Sequence, residues 1–250
     1  MTVEERIAQL EERLAEVSLE AQRAKAAVEI QSVMGRYEFY YMAQRQDLMS
    51  DLWSKRPDAS MDIMGGAKLV NQPLWPDEID PEAPGETQPT GTFRVHALST
   101  PVVEVAADCM TARATWISPG FDTDVRDGKA NCSWCWIKYG CDFVREDGAW
   151  KLWHLTSYGI IHTDYYQSWG DKEPTPLIRK LGYAPGSIET KSNFIPVERV
   201  DWTYAKDRVP ELEPVPPLPY DTWDSLKSNG YRTWTQEHIR LKAQREAQNC

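Results

Sequence analysis

Four histidines stand among the 250 residues, and two of them sit in strand-like runs beside other groups that move protons. Residues 130–162 form two such runs joined at Asp147-Gly148, a pair that supplies the positive φ angles of a type I′ hairpin turn. With those two residues as the loop, Glu146 faces Ala149. Counting outward sets Phe143 opposite Leu152, Cys141 opposite His154, Tyr139 opposite Thr156 and Ile137 opposite Tyr158. Directly opposite residues share a face, so His154, Tyr139, Thr156 and Tyr158 are expected together. A second histidine, His96, alternates with Arg94 and Leu98 in the run 93–105. Histidine titrates near 6.5 and so gives or takes a proton at neutral pH. Tyr37, Tyr40 and Tyr41 are three to four apart on a helical pattern and share one face. The chemistry these types allow is acid–base catalysis without a cofactor.

Other chemistries find little support. There is no glycine-rich phosphate loop, and the expectation for metal is none. Cys132-x-x-Cys135 has no second pair, and on a strand its two side chains point to opposite faces. His154 and His162 lack a matching third ligand. Five cysteines do not read as a disulfide framework. A net charge of −10 with no basic stripe argues against nucleic acid. No apolar run approaches the roughly 20 residues of a membrane span, and the charged start lacks an apolar signal core, so a cytoplasmic location is expected. Eleven tryptophans and eleven tyrosines suit a flat aromatic substrate held by stacking.

These side chains need elements to hold them. Val3, Ile7, Leu10, Leu14, Val17, Ala21, Ala24 and Val28 alternate spacings of four and three, the heptad seam of a coiled coil or of a helix lying on its own domain. Arg6 with Glu11 and Glu20 with Lys25 are oppositely charged at flanking positions, as a parallel pairing would have them. Helix is expected to continue through residues 30–53. Strands are expected at 59–64, 93–105 and 111–117, the last closed by Ser118-Pro119-Gly120, before the long hairpin. Residues 71–91 read as a surface loop. After His162 a proline-rich extension carries Trp202, Trp223 and Trp234, and 233–247 reads as a polar helix. The second hairpin face carries Trp134, Trp136, Lys138, Asp142, Trp153 and Ile161, too apolar for water. A subunit interface or the extension is expected to cover it.

The order of a long helix, a strand and antiparallel strands ending in an Asp-Gly hairpin gives an α+β class. It resembles the nuclear transport factor 2-like superfamily, which includes SnoaL-like cyclases and scytalone dehydratase. The Tyr-rich residues 30–53, the run 94–105 bearing His96, and residues 139–152 carry the likeness. The resemblance implies a cone-shaped barrel, a curved and mostly antiparallel sheet wrapped on N-terminal helices around a deep pocket. It implies three segments: a helical extension over 1–27, the domain over 28–165, and a C-terminal extension over 166–250 packing on the domain or a neighbouring subunit. His96 matches the pocket histidine of dehydratase-like members. Tyr139 falls at a pocket position, and Tyr41 lies near the first-helix tyrosine. The aspartate expected just after that tyrosine is missing, since Met42 and Ala43 stand there, and Cys141 replaces a further acid.

On this basis His96, His154, Tyr139, Tyr41 and Arg94 are the expected catalytic residues. Tyr37, Tyr40, Thr156, Tyr158, Ile137 and Trp116 are expected to bind substrate. Length and aromatic content resemble the bacterial lyases that strip formaldehyde from lignin-derived diarylpropane diols to give stilbenes. That implies a cofactor-independent, homo-oligomeric lyase for a small aromatic substrate. The alternatives are a dehydratase or cyclase on another phenolic or polyketide-like substrate, and a non-catalytic ligand-binding or assembly protein.

Overall fold

The computed structural model describes residues 1–63, 67–70, 90–170, 194–196, 204, 206, 209–210 and 212–230. Helix α1, Val3–Met42, opens on a capping box in which the Thr2 hydroxyl accepts from the Glu5 amide and the Glu5 carboxylate accepts from the Thr2 amide. It runs unbroken through the boundary expected at residues 27 and 28. It stops short of Trp53 because Gln44 turns left-handed at φ 57°. Two short 3₁₀ turns, Gln46–Leu48 and Ser50–Leu52, carry the chain on.

Among the described residues nine strands follow: β1 Ser60–Ile63, β2 Ala67–Val70, β3 Phe93–His96, β4 Ser99–Val105, β5 Thr111–Ser118, β6 Gly120–Arg126, β7 Lys129–Glu146, β8 Ala149–Asp164 and β9 Phe194–Pro196. The path β3-β6-β7-β8-β1-β2-β9 forms a mixed sheet, with β4 and β5 attached to β7 beside β6. Every pairing is antiparallel except β1 with β8. The sheet is curved, mostly antiparallel and wrapped on the helix as expected, and it is not closed. The α+β class holds. Ala26, Ile30, Val33, Met34 and Tyr37 bury one face of α1 against the sheet, beneath Met61, Tyr139, Cys141, Phe143 and Leu155.

Two elements differ from expectation. The run 93–105 is two strands broken at Ala97 and Leu98, because β3 pairs with β6 while β4 pairs with β5. Strand β6 itself was not anticipated, nor was its hairpin with β7. That hairpin turns at Asp127-Gly128, both at positive φ (51° and 72°), the same conformation as Asp147 and Gly148 (49° and 80°).

The long hairpin keeps its expected register only near its turn. Glu146 pairs with Ala149 and Phe143 with Leu152. A bulge then inserts Trp153, so His154 pairs with Asp142, Leu155 with Cys141, Ser157 with Tyr139 and Gly159 with Ile137. One extra residue moves the side chains from His154 to Gly159 to the other face, until a second inserted residue, Ile160, lets Ile161 pair with Trp136. Tyr139 and His154 therefore lie on opposite faces, and the expected grouping of His154, Thr156 and Tyr158 with Tyr139 is wrong.

The 71–91 loop up to residue 89, Trp202, Trp234 and the helix 233–247 lie outside the described residues. No helix among the described residues is long and apolar enough to cross a membrane.

Candidate active site

The inner face, under α1, gathers ionisable groups from four elements. Alternation on β3 sends Arg94 and His96 inward, and the β3–β6 register sets them beside Asp122 and Asp124. His96 Nε2 lies 3.3 Å from Asp122 Oδ1, and an Arg94 guanidinium nitrogen donates to Asp124 Oδ1 at 2.9 Å. Gly120 makes room for the imidazole. A Cβ there would fall 2.6 Å from His96 Nδ1 and 2.5 Å from the Val95 carbonyl oxygen, so no larger residue fits. His96 Nδ1 is buried and has no hydrogen-bond partner among the described residues.

From the helix come Tyr37, Glu38 and Tyr41. The Tyr41 ring centre stands 6.0 Å from that of His96 and stacks on Tyr37 at 6.1 Å. From β7 come Cys135, Ile137 and Tyr139, and from β5 Trp116, paired with Tyr139. Tyr139 donates to the Glu38 carboxyl. Tyr40 is half-buried against the core edge.

Burial sets the protonation of this group. It pushes Glu38 up to about 7, although the His96 charge and the Tyr139 hydrogen bond pull the other way. Glu38 Oε1 is sealed from solvent with no hydrogen-bond partner among the described residues. Burial also acts to raise Asp122, but the hydrogen bond and charge of His96, with Arg94 and His162, outweigh it and hold that carboxyl below its ordinary range. The phenols of Tyr37, Tyr41 and Tyr139 are all pushed up by burial, so they remain proton donors. The site thus pairs a carboxyl that stays half-protonated at neutral pH with an imidazole held by an ionised aspartate. That combination can donate and accept a proton in one turnover.

Metal-ligand types also meet here. One ligand atom each from His96, Asp122 and Cys135 lie within 4.8 Å of one another. Burial, then Asp122, pushes the Cys135 thiol well up, and a metal would need it as thiolate. The donor set suits acid–base work better than a cation. Cys132, three residues away, is exposed on the far side, as strand alternation requires.

Of the expected site residues, the inner face brings together His96, Arg94, Tyr41, Tyr37, Tyr139, Ile137 and Trp116. His154, Thr156 and Tyr158 lie on the outer face. There the His154 ring nitrogens contact Asp142 Oδ2 at 2.9 Å and the Asp58 carbonyl at 3.1 Å, and Thr156 donates to the Asn229 carbonyl at 2.8 Å. Glu38 and Asp122 were not expected. Glu38 is one turn before Tyr41 on the same face, and Asp122 is two residues into the strand announced by Asp127-Gly128. Both signals are in the sequence.

The outer face is covered in part by the chain itself. Trp223 packs on Trp153 at 4.5 Å between ring centres, and Ser228, Asn229 and Gly230 bond to Asp142. Trp136 stays 38% exposed.

A SnoaL-like domain model matches residues 22–156. No curated protein matches the chain. Among solved structures, it is similar to a hexachlorocyclohexane dehydrochlorinase, LinA-type3, from Novosphingobium barchaimii LL02, with 13% identity, a TM-score of 0.47, and 62% of this chain and 99% of that one covered. It is also similar to a proposed scytalone dehydratase from Novosphingobium aromaticivorans, with 14% identity, a TM-score of 0.43, and coverage of 56% and 87%. An ntf2-like protein with a cystatin-like fold from Novosphingobium aromaticivorans shares 19% identity at a TM-score of 0.38, with coverage of 60% and 87%.

Proposed function

We propose that this chain, which belongs to the SnoaL-like domain family, is a cofactor-independent lyase acting on a phenolic aromatic substrate. The observation that carries the reading is the meeting of Glu38 and the His96–Asp122 pair among three tyrosines on one sheet face. The best-fitting reaction is loss of formaldehyde from a diarylpropane diol.

The electrons run as follows. A protonated Glu38 gives its proton to the benzylic hydroxyl, which leaves as water while the para-phenol gives its proton to solvent water, forming a quinone methide. His96 then takes the proton of the primary hydroxyl. The C–O bond becomes a carbonyl, the adjacent carbon–carbon bond breaks to release formaldehyde, and its electron pair restores the aromatic phenolate with a new stilbene double bond. Asp122 holds the imidazolium that forms. Arg94 stabilises the phenolate, and Tyr139 and Tyr41 hold hydroxyl oxygens. A dehydratase is the second reading, favoured because an acid and an imidazole base suffice for loss of water alone.

Incubation of the protein with a phenolic diarylpropane diol should produce stilbene absorbance and an equal amount of formaldehyde. Absorbance change without formaldehyde selects the dehydratase. Neither signal across a panel of phenolic dimers would leave a binding or assembly protein.

A further inference from the structure

Residues 1–22 are exposed throughout, although they belong to the same unbroken helix that packs on the sheet further along. Among these residues and just beyond them runs a stripe of apolar side chains. Leu14 is 70% exposed and Val28 64%, with Ile7 at 50% and Leu10 and Val17 at 53%. A contiguous apolar stripe of this extent is costly to leave in water, so it needs a partner.

The domain cannot supply it. Where stripe and core face overlap, Ala24 and Val28 are exposed while Ala26 and Ile30 are buried. At about 100° per residue the two pairs lie on opposite sides of the helix. The first hold on the sheet is Arg23, which donates to the Val105 carbonyl at 3.0 and 3.2 Å. A partner helix laid along the stripe would therefore meet no part of the sheet, and the stem and the catalytic face stay independent.

We propose that this stem pairs with the same stem of a second copy, forming a two-helix coiled coil about 38 Å long. The flanking charges choose that occupant because they complement themselves. In a parallel pair Arg6 meets Glu11 and Glu20 meets Lys25 of the other copy. In an antiparallel pair with Ile7 opposite Ala24, Glu4 meets Lys25 and Arg13 meets Glu20. Neither direction sets like charges opposite each other at these positions.

The test uses the full chain in sedimentation velocity at tens of micromolar, with Leu14→Glu beside the wild type. Leu14 is exposed and lies outside the buried core of the described residues, so the variant should keep the wild-type melt of the sheet. Its particle mass should fall to half. Ile7→Cys should then crosslink to its own copy under mild oxidation if the pair is parallel, and only together with Ala24→Cys if it is antiparallel; wild-type protein oxidised alongside controls for the exposed Cys132. Either pattern supports the proposal. A wild-type monomer, or an unchanged mass in Leu14→Glu with no stem crosslink, overturns it and leaves the stripe to a different protein.

Discussion

The two faces of this sheet each hold a histidine against an aspartate, and the pairs are built differently. On the outer face, His154 Nδ1 lies 2.9 Å from Asp142 Oδ2, and that carboxylate also accepts from the Ser228 hydroxyl at 2.6 Å, the Asn229 amide at 2.8 Å, the Asn229 side chain at 3.0 Å and the Gly230 amide at 3.3 Å. Gly140 and Gly230 are glycines because a Cβ would strike Asn229 and the His154 ring. On the inner face, His96 stands 3.3 Å from Asp122, and its other nitrogen has no hydrogen-bond partner among the described residues. A fully satisfied buried network rigidifies, whereas an unsatisfied one keeps capacity for something else. The outer pair clamps residues 223–230 to the sheet; the inner pair is the one we propose to serve a substrate.

Alanine at each histidine separates these roles most sharply. His96→Ala should lower kcat on the diol by roughly 10²–10⁴-fold, since it removes an interaction made in the transition state, and should lower the melt less than His154→Ala does, because it leaves one buried carboxylate unpaired rather than a whole network. His154→Ala should do the reverse, lowering the melt while a folded sample keeps its kcat. Full activity in folded His96→Ala would take His96 out of the mechanism.

The clamp should break at its acceptor. Asp142→Ala strips one partner from His154, Ser228, Asn229 and Gly230 at once, and takes from the buried Asn229 amide its acceptor. A loss of about 3–5 kcal/mol follows for a broken buried pair, measurable by urea titration. Increased protease cleavage after residue 209 should accompany it. A loss below about 1 kcal/mol, the range of exposed pairs, would mean that the segment is held elsewhere.

How far this contrast could be read from the sequence depends on one residue. The α+β order, the helix and the Asp147-Gly148 turn follow from periodicity and turn chemistry, and the inward His96 from the family resemblance. The outer tryptophan face was legible too, since Trp134, Trp136 and Trp153 keep the side the turn assigns them. The Trp153 bulge was not, because a bulge answers to long-range fit: Trp153 turns its indole N–H to Asp58 Oδ1 at 2.9 Å and its ring to Trp223. No local pattern announces that, yet it carried His154 across the sheet. Asp122 is a different kind of miss. Asp127-Gly128 is the same signal as Asp147-Gly148, and reading it would have put Asp122 on a strand beside His96. Glu38 shares a helical face with Tyr41, which the sequence shows, but the burial of its carboxyl answers to the packed sheet and not to a local pattern.

Glu38 also gives the smallest and most discriminating effect, through pH. Its folded-state value, about 7, lies above the ordinary 4.5, so the folded protein binds this proton more tightly than the unfolded chain does. The contribution is complete below about 4.5 and is lost as pH rises through about 7. Above that, the fold carries a buried charge. Glu38→Gln has no such charge, so it should match the wild type near pH 5 and exceed it by about 2 kcal/mol near pH 8. Asp122 runs the other way: its lowered carboxyl contributes above its ordinary range and is lost in acid. The two inner carboxyls thus bracket neutral pH, one favouring its proton and one giving it up. If Glu38 is the acid, wild-type kcat should also fall above about pH 7, while Glu38→Gln should lose both the limb and most of the activity. Denaturant titrations at pH 5 and pH 8, with a kcat profile across the same interval, read both effects. Equal stability of the two proteins at pH 8 would mean that Glu38 ionises freely in the fold, and the inner face would then have to find its acid among the tyrosines.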